Sequence, residues 1–251
     1  MVDNDPLAQF QIHTKAEMSL GGIDVSFTNA SAWMVGVIVV LSFFLLRGMS
    51  NKALVPGRWQ LMVEMTYEFV ANMVRNNIGR EGKAYFPFIF TLFMFILGMN
   101  MAGMLPYAYT VTSHIIVTFT MAAVVFLGVT MLGFIKNGAG FLKLFVPSGT
   151  PAWLLPLIIV IELVSYCVRP ISLSVRLFAN MLAGHIMMKI FAGFIISLTV
   201  GLGIAGGFLS VLPFAFTLFL TGLELLVAFL QAYVFAILTC LYINDALHPS
   251  H

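Results

Sequence analysis

Long uncharged stretches alternate with short charged ones along this chain. Ala30–Leu46, "ASAWMVGVIVVLSFFLL", carries no charge, with Trp33 near one end and Arg47 just past the other. It is long enough to cross a bilayer between an aromatic and a basic anchor. Two more uncharged stretches follow, Tyr85–Leu105 and His114–Ile135, joined by the neutral connector "PYAYTVTS". Asn100 is the one strongly polar side chain deep in the first of them. Before them, "GRWQLMVEMTYEFVANMV" sets Leu61, Met62, Met65, Phe69 and Met73 at helical spacing, with Glu64, Glu68 and Asn72 on the other side. That pattern predicts an amphipathic helix lying at the membrane interface or packing on the bundle.

The last hundred residues are almost continuously apolar until "GLGIAGG", residues 201–207, where four glycines in seven residues favour a turn between two helices. Folding the chain at 203–204 pairs the two arms as a hairpin. His185 then falls beside Gly222 and close to Glu224, and Arg176 falls opposite Gln231. The arm from Ala152 to Val200 has 49 residues. As continuous helix it would be roughly 73 Å long, against a hydrocarbon core of ~30 Å. It either tilts strongly or breaks into two spans at Arg169–Pro170. A proline kinks a helix without having to end it, and two spans would need a very tight connection there. The expectation is one long, inclined, kinked arm. The fold class is therefore an all-α integral membrane protein of about five membrane helices, the last two a long tilted hairpin, plus one amphipathic interfacial helix. Residues 1–251 read as a single polytopic membrane domain: an outer segment 1–29, peripheral spans and interfacial helix over 30–150, and the hairpin over 151–245.

Composition agrees with the pattern. The 251 residues are 61% hydrophobic and 9% charged, where soluble domains carry about 25% charge. A net charge of +2 gives no reason to expect nucleic acid as a partner. Cys167 and Cys240 lie in apolar segments without metal spacing, and no cofactor or metal site is expected. Charge also orients the chain. Residues 1–29 sum to −3 and residues 47–84 to +3, and Lys136 and Lys143 mark a second basic loop. Basic loops stay inside, so the N-terminus and the connector at 106–113 are expected outside, and the C-terminus inside. The polar, acidic start is neither a cleavable signal nor an Arg-rich transit peptide, which favours a bacterial inner membrane, although an organelle-encoded chain would also lack a transit peptide.

From Leu144 to Asn244 only Glu162, Arg169, Arg176, Lys189 and Glu224 are charged, with His185 as a further titratable group. A charge at mid-bilayer costs ~2.5–3.5 kcal/mol on insertion scales, so such residues are functional candidates. Ser172, Arg176 and Asn180 are four apart and share a helix face. His185 points roughly the opposite way. Glu224 and Gln231, seven apart, also share a face. Two polar clusters result, His185 with Glu224 and Glu162 with Ser165, and Arg176 separates them along the chain. A single continuous relay would leak protons; two half-paths parted by a fixed positive charge would not, because arginine stays protonated. The bland reading of Arg176 is a side chain that snorkels to the surface or pairs with Glu162 or Glu224; its central place in the arm argues against snorkelling. Ser165, Ser172, Asn180 and Gln231 could simply bond neighbouring helices, and for Ser165 and Ser172 that structural reading comes first. Arg169 and Lys189 read as interfacial anchors.

"SLSVRLFANMLAGH" at 172–185, followed by "GLELLVAFLQAYVFAILTCLYI" at 222–243, resembles subunit a of the proton-translocating F-type ATP synthases. The similarity extends over nearly the whole chain, including the interfacial helix and "PYAYT". The resemblance implies a non-catalytic, proton-conducting stator subunit of an enzyme complex, pressed against a ring of small proteolipid subunits that each carry a membrane carboxylate. The other partners it implies are b-type peripheral-stalk subunits, the soluble ATPase head reached through the stalks, lipid and protons. Arg176 matches the family's essential arginine, which holds the passing carboxylate ionised and blocks a proton short-circuit. His185 and Glu224, with Asn100, match the outer inlet half-channel. Glu162 and Ser165 match the inner exit half-channel. Asn180 and Gln231 match residues flanking the arginine, and Ser172 shares its face.

Two other classes compete. A small secondary transporter with a charged midplane site predicts interrupted helices in both halves, whereas only the second half is polar. A haem-binding subunit needs paired axial histidines, and only His114 and His185 lie in or beside spans.

Overall fold

The computed structural model describes residues 14–17, 19–20, 23–24, 26–50, 53, 55–105, 108–146 and 153–248. Most of the acidic start, Lys52, Pro106 and Tyr107 of the connector, and the end of the second basic loop lie outside the described residues.

Each uncharged stretch forms a helix because in hydrocarbon a backbone must satisfy its own N–H and C=O groups. The first three are α1 (Asn29–Met49), α3 (Phe86–Gly103) and α4 (Ile115–Asn137). Between α1 and α3 lies α2 (Arg58–Ile78), and the hairpin is α5 (Leu155–Leu209) and α6 (Val211–Leu247). Among the described residues, five helices are long and apolar enough to cross a membrane. Short 3₁₀ turns at Gly79–Ala84, Val111–Ser113 and Gly138–Phe145 fill the connections. Ahead of α1, the described residues pair as two small antiparallel ladders. β1 (Thr14–Ala16) pairs with β4 (Phe27–Thr28), and β2 (Ser19–Leu20) with β3 (Ile23–Asp24).

The amphipathic helix forms where expected, and part of its apolar surface is covered by protein. Val63, Val70, Met73, Val74 and Ile78 are its buried residues. Of the five positions expected to form its apolar side only Met73 is among them, while Leu61, Met62, Met65 and Phe69 are exposed. Phe69 nonetheless meets the rings of Phe93 and Tyr233, at 5.8 and 5.7 Å between centroids.

α5 runs through Pro170 without leaving helical geometry, and its only non-helical residue is Gly203 (φ 57°, ψ −129°). The arm is thus one helix to the hairpin tip and not two spans. At about 1.5 Å per residue its 155–202 portion is roughly 70 Å long, too long to stand upright in a ~30 Å hydrocarbon layer. The tip lies within the glycine cluster. Only glycine adopts the Gly203 backbone without strain. At Gly206 an added Cβ would sit 1.9 Å from the Leu198 carbonyl oxygen.

The residues group into two compact units, each drawing on several helices. One comprises 1–40, 96–114 and 177–231; the other comprises 41–95, 115–176 and 232–251. In the second, Tyr166 is a hub: its ring meets Phe126, Phe141 and Phe145, and its hydroxyl lies 2.7 Å from Thr130 Oγ1. Asn137 Nδ2 donates to the Ala246 carbonyl at 2.6 Å, and Thr118 and Ser174 hydroxyls meet at 3.1 Å. The first unit is held by the hairpin tip and the polar contacts described next.

Candidate functional site

Within the first unit the hairpin sets the geometry. Phe191 stacks obliquely on Phe216 at 4.7 Å, and Thr221 Oγ1 reaches the Met188 sulfur at 3.6 Å. That register brings His185 Nε2 to 3.5 Å from Glu224 Oε1, both residues being buried. Sequence pairing had set His185 beside Gly222, so the observed register is shifted by two residues. Gln231 also meets a residue other than the one expected opposite it, one helical turn along α5. Asn180 Nδ2, rather than the Arg176 side chain, meets it, donating to Gln231 Oε1 at 3.2 Å. Between the arms, Gly203 leaves helical geometry and α6 begins at Val211.

Asn100 is fully buried and donates from Nδ2 to the Ala228 carbonyl at 3.2 Å. Gly184 leaves room for the glutamate: a Cβ there would lie 2.7 Å from Glu224 Oε1. Among the described residues, the buried side-chain polar atoms without a hydrogen bond are Asn100 Oδ1, Thr112 Oγ1, both Glu224 oxygens and Gln231 Nε2. All five belong to this unit. Unsatisfied buried polar atoms are costly, and two of these five belong to the glutamate that faces His185.

The connector after α3 adds to this unit, and sequence reasoning missed it. Far from being a plain surface loop, Tyr109, Thr110, Val111, Thr112 and Ser113 are buried. Ser113 Oγ donates to the Thr110 carbonyl at 2.6 Å, fixing the turn. The Thr110 hydroxyl lies 3.0 Å from His185 Nε2. The Tyr109 hydroxyl hydrogen-bonds His114 Nε2, and their rings stack. Burial pushes the Tyr109 phenol up to about 12 and lowers His114 below the usual imidazole value. Both are therefore neutral near pH 7, with tyrosine as donor and Nε2 as acceptor. The available signal was the density of hydroxyl and imidazole groups in "YTVTSH".

The second unit holds the other predicted residues. Arg176 and Ser172 are exposed, Ser165 is exposed, and Glu162 is half-buried. Among the described residues no acidic side chain lies within ion-pair distance of Arg176. Glu162, the acid of the same unit expected as a structural partner, does not pair with it. No bond joins Glu162 to Ser165 among the described residues. Arg169 is not a plain interfacial anchor: Nη1 donates to Asp245 Oδ2 at 3.1 Å, and the guanidinium lies 5.7 and 5.3 Å from the ring centres of Tyr166 and Tyr242.

The profile of the ATP synthase A chain family matches residues 30–244. The chain belongs to that family. ATP synthase subunit a of Parvibaculum lavamentivorans is 58% identical over 247 residues, covering 98% of this chain and 95% of that protein. Proteins of the same name from Chelativorans sp. and Pelagibacter ubique are also 58% identical, each over 98% of this chain and 99% of its own length. Membership places the chain in the membrane machinery of proton-translocating ATP synthesis, as a multi-pass helical protein of bacterial type.

Proposed function

We propose that this chain is the stator of a rotary proton-driven ATP synthase in a bacterial inner membrane, with its N-terminus outside and its C-terminus inside. It acts as one polytopic membrane domain, offering two offset proton half-paths to a ring of carboxylate-bearing proteolipids. Its further partners are the b-type peripheral stalk and, through the stalks, the ATPase head. A proton enters by the His185–Glu224 pair, with Asn100 lining the way, and neutralises a ring carboxylate. After the ring turns, the proton leaves towards Glu162 and Ser165. Asn180 and Gln231 hold each other beside the path, and Ser172 shares the exposed flank of Arg176.

The observation that carries this reading is the exposure of Arg176 without an acidic partner in a segment that is otherwise apolar. A guanidinium stays charged at any physiological pH. At about 4 Å, with an effective dielectric of about 20, it favours the ionised form of a passing carboxylate by on the order of 4 kcal/mol. That is enough to keep the carboxylate charged while it passes and to repel a proton that would otherwise cross directly. An internal salt bridge would cancel the effect.

Arg176→Ala should abolish proton-driven ATP synthesis in membrane vesicles while the detached head keeps its ATPase activity. Normal coupled synthesis by the variant would overturn the assignment.

A further inference from the structure

The Thr110 hydroxyl is placed between two groups that suit opposite states of His185. It lies 3.0 Å from His185 Nε2 and 3.4 Å from the Gly103 carbonyl oxygen. His185 Nε2 also faces Glu224 Oε1 at 3.5 Å. Thr110, His185 and Glu224 are buried. The charged and titratable groups around this imidazole are Glu224 from α6 and Lys189 one turn on along α5, while the connector's Tyr109 and His114 engage each other.

Resting on the proton-inlet reading above, we propose that Thr110 is a positioning residue of the inlet: its rotating hydroxyl satisfies His185 Nε2 in both protonation states. When Nε2 lacks a proton, the Thr110 O–H donates to its lone pair. When Nε2 carries one, the hydroxyl turns its own hydrogen to the Gly103 carbonyl and accepts from Nε2. A hydroxyl is both donor and acceptor and its hydrogen rotates, so it fits this task where a carboxylate or amide does not. In the transfer itself the Nε2–H bond breaks and an O–H bond forms on Glu224. Imidazolium becomes neutral imidazole, and carboxylate becomes carboxylic acid. Without the hydroxyl, His185 Nε2 loses a hydrogen bond that can serve either protonation state, and the loss is larger for the charged imidazolium.

Gly103 makes the arrangement possible. A Cβ there would stand 2.8 Å from Thr110 Cγ2 and 3.1 Å from its Oγ1.

The test uses the whole complex in proteoliposomes, with ATP synthesis driven by an acid–base jump and the pH of the proton-entry side titrated. Thr110→Val keeps the shape and removes the hydroxyl. It should cut the rate about tenfold, the scale of one hydrogen bond to a charged group, and move the entry-side pH midpoint towards acid. Thr110→Ser should restore both. Wild-type rate and midpoint in Thr110→Val would overturn the proposal, and so would equal loss in the valine and serine variants, which would mean packing. If the valine variant does not assemble, Thr110→Ala decides between the same outcomes. Arg176→Ala in parallel separates the two ideas: its normal synthesis sinks the stator reading, whereas a silent Thr110→Val beside an inactive Arg176→Ala sinks only this one.

Discussion

At the scale of single residues, polarity and burial conflict most sharply in the connector at 108–114. His114 shows how that conflict becomes measurable. Burial lowers its pKa from 6.5, so the folded state prefers the neutral ring. Above 6.5 neither folded nor unfolded chain protonates it, and its full contribution to stability is present. As the pH falls, the unfolded chain binds the proton first, and that contribution is lost until the folded pKa has also been passed. Gln at this position cannot titrate. His114→Gln should therefore flatten the acid limb of thermal stability in detergent below about pH 6.5, and an unchanged acid limb would show that His114 is not the group responsible. Tyr109, raised to about 12, stays a neutral donor throughout.

At the scale of elements, the hairpin tip determines which side chains meet. Its two critical glycines act differently. Gly203 supplies a backbone conformation that L-residues avoid, and Gly206 leaves space for the Leu198 carbonyl. Gly203→Ala should cost roughly 1–3 kcal/mol of stability, the usual range for a strained backbone position. Gly206→Ala should open the tip and lower the yield of assembled complex. Gly207, with nothing within 4 Å of an added Cβ, should tolerate alanine. Thermal midpoints and assembly yields of the three variants test this order. A tolerant Gly206 would mean that the tip does not hold the His185–Glu224 register.

At the scale of the whole molecule, the two long helices differ in how much protein covers them. Only 6% of the most apolar window of α5 is buried, against 44% for α6. α6 is thus the packed arm, and α5 presents side chains outward, to lipid or to a partner. Arg176 and Ser172 are exposed on it, whereas Leu173 is 1% exposed. In the assembled synthase, Ser172→Cys should form a disulfide with a cysteine placed on the outer helix of the ring. Leu173→Cys should not. Equal yields from both positions would mean that the Arg176 flank is not the ring-facing one.

The order of uncharged stretches already determined the membrane class, all five long helices and the place of the hairpin tip, because hydrocarbon forces each apolar run to close its own hydrogen bonds. Helical phase alone set His185 away from Arg176, and it put Glu224 and Gln231 on one face. Other features belonged to tertiary structure. Helical periodicity could not say which apolar residues of α2 the protein covers, since that depends on which neighbour it meets. A glycine-rich stretch locates a turn only to within a few residues, and Gln231 met Asn180, one helical turn from Arg176. Arg169 found Asp245, and Thr110 found His185, across 76 and 75 residues of chain. Pairings over such distances follow from how helices pack, and no local pattern encodes them.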